Sequence, residues 1–185
     1  MYFRIYTIPN FYSDPYEVIK FANTLEYPEE ANDGIGWGTV SLHNTHPEFF
    51  RFSNEKILKM IYGPLSTCNY VSRNIFCKIN DKDTKGKKKG TIHFDKDTLL
   101  TVMIYLSDNL INSGTNVYVQ DSFAKPKLLS TSRGSFNTAF CFDGCYPHQA
   151  LHDLKTSENR LVQSIFFTKL EAPYFPLPEI NRTNI

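Results

Sequence analysis

The sequence has no hydrophobic stretch of the length that crosses a membrane, which as a helix takes about 20 apolar residues. Its first residues, Met1 to Pro9, lack the basic start, the apolar run and the small-residue cleavage site of a secretory signal. Neither sign of charge is in excess, since 20 Lys and Arg face 19 Asp and Glu. This balance does not indicate nucleic acid or an anionic membrane as a partner.

Cysteine is also scarce. Cys68, Cys77, Cys141 and Cys145 are too few and too dispersed for a disulfide scaffold, so we expect reduced thiols and a cytoplasmic location. Cys141 and Cys145 form a C-x3-C arrangement beside His148, which leaves open a zinc site with thiolate and imidazole ligands. The alternative is that Cys141 is a small core residue on a strand and Cys145 lies in the following turn.

Apolar residues, by contrast, are plentiful. In 185 residues, 41% hydrophobic and 15% aromatic side chains suit one compact core, so we expect a single domain over residues 1–185. The oligomeric state is left open, because no feature of the composition bears on it.

Two helices are predicted near the N-terminus. Asp14 can cap the first, with Pro15 in its first turn and Glu17 completing a capping box, and this helix should end near Tyr27-Pro28. A second is predicted from about residue 47 to residue 62. The apolar face of the first helix, which should pack on a sheet, consists of Val18, Phe21, Ala22 and Leu25.

Between these helices, residues 29–45 show no sustained periodicity and read as a long loop. The part from Gly34 to Thr45, around Trp37, is a candidate lid or substrate wall, because flexible glycines beside a large aromatic residue suit closure. An ordinary surface loop anchored by Trp37 is the alternative. His43 and His46 are expected to be surface or substrate-loop residues.

From Asn69 onward, short strands alternate with turn signals, a pattern typical of an all-β sandwich, jelly roll or barrel. The fold class is therefore mainly β with flanking helices (α+β). The charged segment 81–90 reads as a solvated hairpin loop, and residues 171–185 should lie extended over the surface. Strands are predicted at residues 70–79, 91–95, 99–106, 116–120, 137–142, 148–151 and 160–168.

One tripeptide carries residues typical of a metal site. His93 and Asp95 are two positions apart on a predicted strand, so their side chains share a face. His148 opens a later strand after a turn and offers a third ligand. Two imidazoles and one carboxylate make the facial triad of non-haem Fe(II) oxygenases, which leaves coordination positions open. His152 is expected to be exposed or to support the ligands indirectly.

Arg160 follows His148 by twelve positions, across a polar turn. If the strands that begin at these two residues pair through that turn, Arg160 reaches the metal site. Its guanidinium could then hold a carboxylate through two parallel hydrogen bonds.

In this order, the motifs resemble those of the 2-oxoglutarate/Fe(II)-dependent oxygenases, especially the prolyl-hydroxylase-like branch with its small viral and bacterial members. The likeness covers about residues 8–168. It rests on His93-Phe94-Asp95, Ile104-Tyr105-Leu106-Ser107-Asp108, Ser113-Gly114-Thr115, Phe142-Asp143-Gly144 before His148, and Arg160 with Ser164 four positions later.

This resemblance implies a double-stranded β-helix (a jelly roll, cupin-like) over about residues 69–168, with the N-terminal helices packed on one sheet. It implies Fe(II) at the three ligands and 2-oxoglutarate and O2 as cosubstrates. Tyr105 and Ser164 would join Arg160 at the distal carboxylate of 2-oxoglutarate. The chain departs from the family pattern at Ser113, where a glycine is usual, and at Val162, where a serine is common.

The implied reaction is hydroxylation of an unactivated C–H bond, with release of succinate and carbon dioxide. Two other readings remain open: a non-catalytic cupin-like metal-binding domain, and a zinc or manganese hydrolase or isomerase with the same ligands. The sequence does not identify the substrate. A peptide side chain or a small molecule is favoured, and nucleic acid is not indicated.

Overall fold

The computed structural model describes residues 5–28, 37–63, 69–80, 90–108, 113–120, 125–151 and 159–171. No helix in these ranges is long and apolar enough to span a membrane. In chain order the elements are β1 (Ile5–Ile8), α1 (Pro15–Thr24), β2 (Trp37–Gly38), α2 (Leu42–Thr45), α3 (Pro47–Tyr62), β3 (Asn69–Asn80), β4 (Leu100–Tyr105), β5 (Gly114–Val119), β6 (Lys127–Ser132), β7 (Thr138–Asp143), β8 (His148–Leu151) and β9 (Asn159–Glu171).

The strands form two antiparallel sheets. The large sheet has the order β1-β7-β4-β9-β3-β2, and the small sheet has the order β6-β5-β8. An antiparallel bridge between His93 and His148 extends the small sheet beyond β8. From β6 to β9, consecutive strands alternate between the small sheet and the large one. This is the double-stranded β-helix that the resemblance implied, and the prediction of the fold is confirmed.

The N-terminal helix begins as predicted. The Asp14 carboxylate accepts hydrogen bonds from the backbone N–H groups of Tyr16 and Glu17, both at 3.1 Å. The helix ends at Thr24, before the predicted Tyr27-Pro28. A side chain caps it there, because the Tyr27 hydroxyl donates to the carbonyl of Ala22 at 3.0 Å, and a further helical turn is not needed to satisfy that group.

Both long helices pack on the outer face of the large sheet, as predicted. The second helix has the predicted bounds, with Pro47 in its first turn and Gly63 just after its end at a positive φ of 85°. The core on this side combines buried residues from helices and sheet, among them Val18, Ala22, Ile57, Leu58, Phe76, Val102, Ile104, Cys141, Ile165 and Phe167. Each large apolar side chain buried in it contributes roughly 1.5–3 kcal/mol.

A second, smaller cluster fills the space between the two sheets. It joins Tyr105, Phe140, Phe142 and Val162 of the large sheet to Val117 of the small one. This core packs the two sheets against each other.

Three local predictions need correction. Residues 91–95 form no regular strand, only the bridge at His93, because a turn follows at once and Asp97 takes a positive φ of 61°. The edge strand β6 was not predicted, since its side chains are mostly exposed and lack clear alternation. Within the predicted loop, residues 37–45 contain β2, which pairs with β3, and the short helix α2.

Some predictions concern residues outside the described ranges. These are the charged segment through residue 89, the tail from residue 172, His152, Cys68 and the glycines at 34 and 36.

Candidate metal centre

His93 and His148 face each other across two antiparallel chain segments. The backbone N–H of His93 donates to the carbonyl of His148 at 3.0 Å, and the reverse bond is 2.8 Å long. Directly opposed residues point to the same face, and Asp95 shares that face because it lies two positions after His93. One ligand atom from each residue lies within 4.8 Å of the other two. The three side chains therefore converge.

The backbone orients both imidazoles. Nδ1 of His93 lies 3.0 Å from the carbonyl oxygen of Thr91, and Nδ1 of His148 lies 3.1 Å from that of Tyr146. Each Nδ1 therefore carries the proton and donates, which leaves the lone pair on Nε2. These Nε2 atoms lie 3.9 Å (His93) and 3.4 Å (His148) from the carboxylate oxygens of Asp95.

His148 is held in the neutral form that binds metal. Burial lowers the pKa of its imidazole, and nearby His93 acts in the same direction, whereas Asp95 and the Tyr146 carbonyl act against them. Its ring packs against the ring of Phe142 with centroids 4.9 Å apart, which fixes its orientation. His93 is 48% exposed, so the centre opens to solvent on one side.

Asp95 is fixed by a residue from the large sheet. The hydroxyl of Thr101 on β4 donates to Asp95 Oδ2 at 2.7 Å. Thr101 is fully buried, so this hydrogen bond is shielded from water. The other carboxylate oxygen, Oδ1, faces His93.

The donor set consists of two nitrogens and one oxygen on one side of the centre. Such a set suits Fe(II), zinc or manganese and leaves other positions free for a ligand. The cysteines are not part of it: among the described residues, this triad is the one group of three or more potential ligands. Cys141 is buried on β7 and Cys145 lies in the following turn, which is the alternative considered from the sequence.

The triad opens into a cavity of about 280 Å³ between the two sheets. Its walls are inward-facing side chains of β3, β4 and β9, with Gly38 of β2 at one side. Gly38 is the described residue of the predicted Gly34–Thr45 segment that borders the cavity, and the role of this segment as a lid or substrate wall stays a prediction.

Arg160 lies in the same cavity and is 2% exposed. Its Nη1 donates to the carbonyl of Leu151 at 3.3 Å and its Nη2 to that of Gly114 at 3.1 Å, whereas Nε has no partner. No carboxylate in the described ranges pairs with it. Burial lowers the pKa of Arg160, but a guanidinium still keeps its charge at neutral pH. Within the part of the chain that the structure describes, this buried cation therefore has no counter-ion.

The route by which Arg160 reaches the centre differs from the sequence prediction. β8 and β9 do not pair: β8 lies in the small sheet and β9 in the large one, between β4 and β3. Arg160 instead spans the gap between the sheets and contacts the end of β8 through Leu151. The polar turn before it connects two sheets, which sequence spacing alone does not reveal.

Gly114 supports Arg160 through its backbone. It is the first residue of β5, and a Cβ atom there would lie 1.8 Å from the carbonyl oxygen of Ser132, so no larger residue fits without a shift. The neighbouring Ser113, where a second glycine is usual in the family, is buried, and its Oγ has no hydrogen-bond partner among the described residues.

Tyr105 is close to Arg160, and Ser164 lies four positions further along β9 on the wall of the same cavity. The guanidinium carbon lies 5.5 Å from the Tyr105 ring centroid, and the Tyr105 hydroxyl donates to Thr115 Oγ1 at 2.9 Å. Thr115, Ser164 and Val162 line the cavity. The Tyr105 hydroxyl therefore approaches the cavity through Thr115, and the motif Ser113-Gly114-Thr115 did not predict this contact.

The remaining histidines lie elsewhere. His43 is exposed and contacts the Phe50 ring, and His46 contacts the Phe21 ring, both on the helical side of the large sheet. Neither borders the cavity.

No protein-family model matches the sequence, and comparison with curated proteins gives no match. Solved structures do resemble it. The α-ketoglutarate-dependent non-haem epimerase SnoN of nogalamycin biosynthesis has a TM-score of 0.68 at 13% identity, covering 98% of this chain and 87% of SnoN. HygX from Streptomyces hygroscopicus, with nickel and 2-oxoglutarate bound, has a TM-score of 0.62 at 14% identity, with 88% and 82% covered. A prolyl hydroxylase from Trichoplax adhaerens, in complex with a peptide fragment of hypoxia inducible factor, has a TM-score of 0.58 at 12% identity, with 88% and 82% covered.

At these identities the likeness shows the fold. The chain has the double-stranded β-helix of the 2-oxoglutarate/Fe(II) oxygenases, over nearly its whole length in the case of SnoN. The resemblance identified from the motifs is thereby confirmed by the fold and by the His-Asp-His triad.

Proposed function

We propose that this protein is a 2-oxoglutarate- and Fe(II)-dependent dioxygenase that hydroxylates an unactivated C–H bond. The observation that carries the proposal is Arg160. A guanidinium that is 2% exposed and has no carboxylate partner among the described residues shares one cavity with a triad of metal-ligand type. Burying an unpaired charge costs free energy. An anion that binds in the cavity and pairs with Arg160 would therefore stabilise this arrangement.

The residues present fit the two groups that the proposal requires. His93, Asp95 and His148 would hold Fe(II), and Arg160 would hold the distal carboxylate of 2-oxoglutarate. The unpartnered Nε of Arg160 is a donor available for that carboxylate. Tyr105, acting with Thr115, and Ser164 would complete the contacts. When bound, iron and 2-oxoglutarate supply the activation of O2, with release of succinate and carbon dioxide.

The protein's own part in this chemistry is positioning and exclusion of water. Thr101 and the backbone carbonyls behind the imidazoles fix the three ligands before metal binds. Apolar side chains at Ile75, Met103 and Val162 line the cavity and keep it poorly hydrated. A substrate would enter from the side on which His93 is exposed.

The two other readings use the same ligands but leave Arg160 unexplained. A zinc or manganese hydrolase or isomerase needs no buried guanidinium at the far end of a small cavity. A non-catalytic cupin-like domain needs neither the open metal positions nor the arginine. Oxidative reactions other than hydroxylation use this fold too, since SnoN is an epimerase and SnoK a carbocyclase.

We infer a cytoplasmic reaction on a peptide side chain or a small molecule. The described cysteines, Cys77, Cys141 and Cys145, form no disulfide bond with one another, which supports a reducing compartment. One similar structure holds a peptide and another holds hygromycin B, so the fold accommodates both kinds of substrate.

The direct test is turnover of 2-oxoglutarate to succinate by purified protein with Fe(II) and O2. We expect succinate formation that depends on iron, and that is lost in His148→Ala while the fold, followed by circular dichroism, is retained. A candidate substrate should then gain one oxygen atom by mass spectrometry. Full activity of His148→Ala would exclude His148 as a ligand.

Arg160→Ala tests the cosubstrate site specifically. Hydrogen bonds to charged groups contribute roughly 1.5–3 kcal/mol, so the variant should bind 2-oxoglutarate at least about tenfold more weakly. Arg160→Lys keeps the charge but not the planar guanidinium, so its affinity for 2-oxoglutarate should lie between those of wild type and Arg160→Ala. The measurement is a titration of 2-oxoglutarate into anaerobic Fe(II) protein, followed by the metal-to-ligand charge-transfer absorption.

The matched control for this titration is Arg51→Ala, which removes an exposed arginine on α3, away from the cavity. The affinity for iron should be unchanged in the Arg160 and Arg51 variants, because His93, Asp95 and His148 are untouched. Equal affinities of wild type and Arg160→Ala for 2-oxoglutarate would refute the proposed role of Arg160.

A further inference from the structure

A second arginine borders the cavity. Arg73 on β3 lies on the same face of the strand as Ile75, Cys77 and Ile79, and all four line the cavity wall. Ile79 pairs with Arg160 across the sheet, so Arg73 stands six positions further along β3 from that end. Among the described residues of the cavity wall, Arg73 and Arg160 are the basic ones that are always charged.

The surroundings of the two arginines differ. Arg160 is buried, whereas Arg73 is exposed to solvent. No carboxylate of the described residues forms an ion pair with Arg73. Its inward-facing neighbours on β3 and β9 are the apolar Ile75 and Phe166. Among the described residues, the exposed Arg73 guanidinium therefore has no ion-pair partner and stands among apolar side chains at the cavity wall.

The register of the sheet places Arg73 close to the metal centre. Arg73 is opposite Phe166, and Phe166 is opposite Thr101, the residue that binds Asp95. Adjacent strands are about 4.8 Å apart, so the backbone of Arg73 is roughly 10 Å from that of Thr101. One substrate molecule could therefore bind Arg73 at one end and place a carbon atom at the metal with its other end.

Charge balance leaves Arg73 available for the substrate. With Fe(II) and 2-oxoglutarate in place, the charges of the metal, Asp95, Arg160 and the dicarboxylate cancel. Arg73 then adds one positive charge at the opening. Low-dielectric walls focus such a field, which attracts anions.

We propose that Arg73 is a specificity-determining residue and that the substrate carries an anionic group, a carboxylate or a phosphate, that Arg73 binds. The inference rests on the proposed function of the same site and adds the substrate class. A planar guanidinium can grip either anion with two parallel hydrogen bonds.

The test compares charged ligands with neutral ligands that share the same aromatic ring. Zn(II)-loaded protein saturated with 2-oxoglutarate, which cannot turn over, is titrated with benzoate and benzamide, and with phenyl phosphate and phenol. Dissociation constants are measured by ligand-observed NMR on wild type, Arg73→Gln and Arg51→Gln. Arg51, exposed on α3 on the other side of the large sheet, controls for loss of one surface charge.

We expect at least one anion to bind wild type about tenfold or more tightly than its neutral partner. Arg73→Gln should abolish that preference, and Arg51→Gln should retain it. The arm that shows the preference identifies carboxylate or phosphate. Absence of any preference in wild type, or its survival in Arg73→Gln, overturns the inference.

A parallel titration of 2-oxoglutarate separates this failure from failure of the proposed function. Wild type and Arg73→Gln should bind 2-oxoglutarate equally. If both bind it and neither prefers anions, only the role of Arg73 is refuted. If wild type does not bind 2-oxoglutarate at all, the proposed function itself fails. Weaker binding of 2-oxoglutarate by Arg73→Gln would assign Arg73 to the cosubstrate and also overturn the inference.

Discussion

Thr101 shows how one side chain prepares the metal centre. Its hydroxyl holds Asp95 Oδ2 at 2.7 Å, and this leaves Oδ1 directed towards His93. This role could not be predicted from the sequence, because a threonine in a strand is an ordinary β-branched residue. Only the return of β4 beneath the ligand segment brings the two residues together.

Thr101→Val should weaken metal binding by roughly 10- to 100-fold, the usual cost of losing a group that orients a ligand. Valine keeps the shape but removes the donor, so Asp95 can turn away from the imidazoles. The affinity for Zn(II) or anaerobic Fe(II) is measured by chelator competition. Thr138→Val is the matched control, since its hydroxyl bonds the Phe136 carbonyl and not a ligand. Unchanged affinity in Thr101→Val would show that Asp95 needs no such support.

At the scale of elements, polar side chains as well as apolar ones hold α3 to the large sheet. Gln163 Nε2 donates to Asn74 Oδ1 at 2.9 Å, and Asn74 Nδ2 donates to Ser53 Oγ at 2.8 Å and to Asn54 Oδ1 at 3.0 Å. The Tyr12 hydroxyl donates to Gln163. All five residues are buried, so each of these hydrogen bonds satisfies polar groups that water cannot reach.

Asn74→Ala should lower the free energy of unfolding by roughly 2 to 4 kcal/mol. It leaves the Gln163 amide and the Ser53 and Asn54 side chains without their partner in a buried place, and unsatisfied buried groups cost about 1–3 kcal/mol each. Urea denaturation measures the change. Asn44→Ala, at an exposed position of α2, should change stability by less than about 0.5 kcal/mol. Equal stability of the two variants would show that the network contributes nothing net.

The elements differ in how far the sequence predicts them. The bounds of α3 follow from a helical period with a proline at its start and a glycine after its end, signals that are local. The segment of His93 gives a strand-like alternation but makes only one bridge, because the turn at residues 96–97 interrupts it. Edge strand β6 has mostly exposed side chains, so burial leaves no pattern in its sequence.

At the scale of the whole molecule, the convergence of His93, Asp95 and His148 was predictable and the path of the chain to it was not. His93 and Asp95 follow from spacing, and the order of the motifs, with the family likeness, indicated His148 and Arg160. Which strands pair depends on contacts between distant residues, and so the placement of β8 and β9 in different sheets was missed. The inward-facing position of Arg73 could be predicted, since it lies two positions before Ile75 on β3 and therefore on the same face of the strand.

The buried cation should also couple ligand binding to global stability. A ligand that binds only the folded state stabilises it by about 2.7 kcal/mol at one hundred times its Kd. For a chain of this size, each kcal/mol raises the Tm by roughly 2–4 °C, so Zn(II)-loaded protein should gain about 5–10 °C on addition of 2-oxoglutarate. Scanning calorimetry measures this shift. Arg160→Ala at the same ligand concentration should show a clearly smaller gain, since its affinity is lower. A shift of the same size in wild type and Arg160→Ala would mean that 2-oxoglutarate binds elsewhere and that the buried guanidinium has another counter-ion.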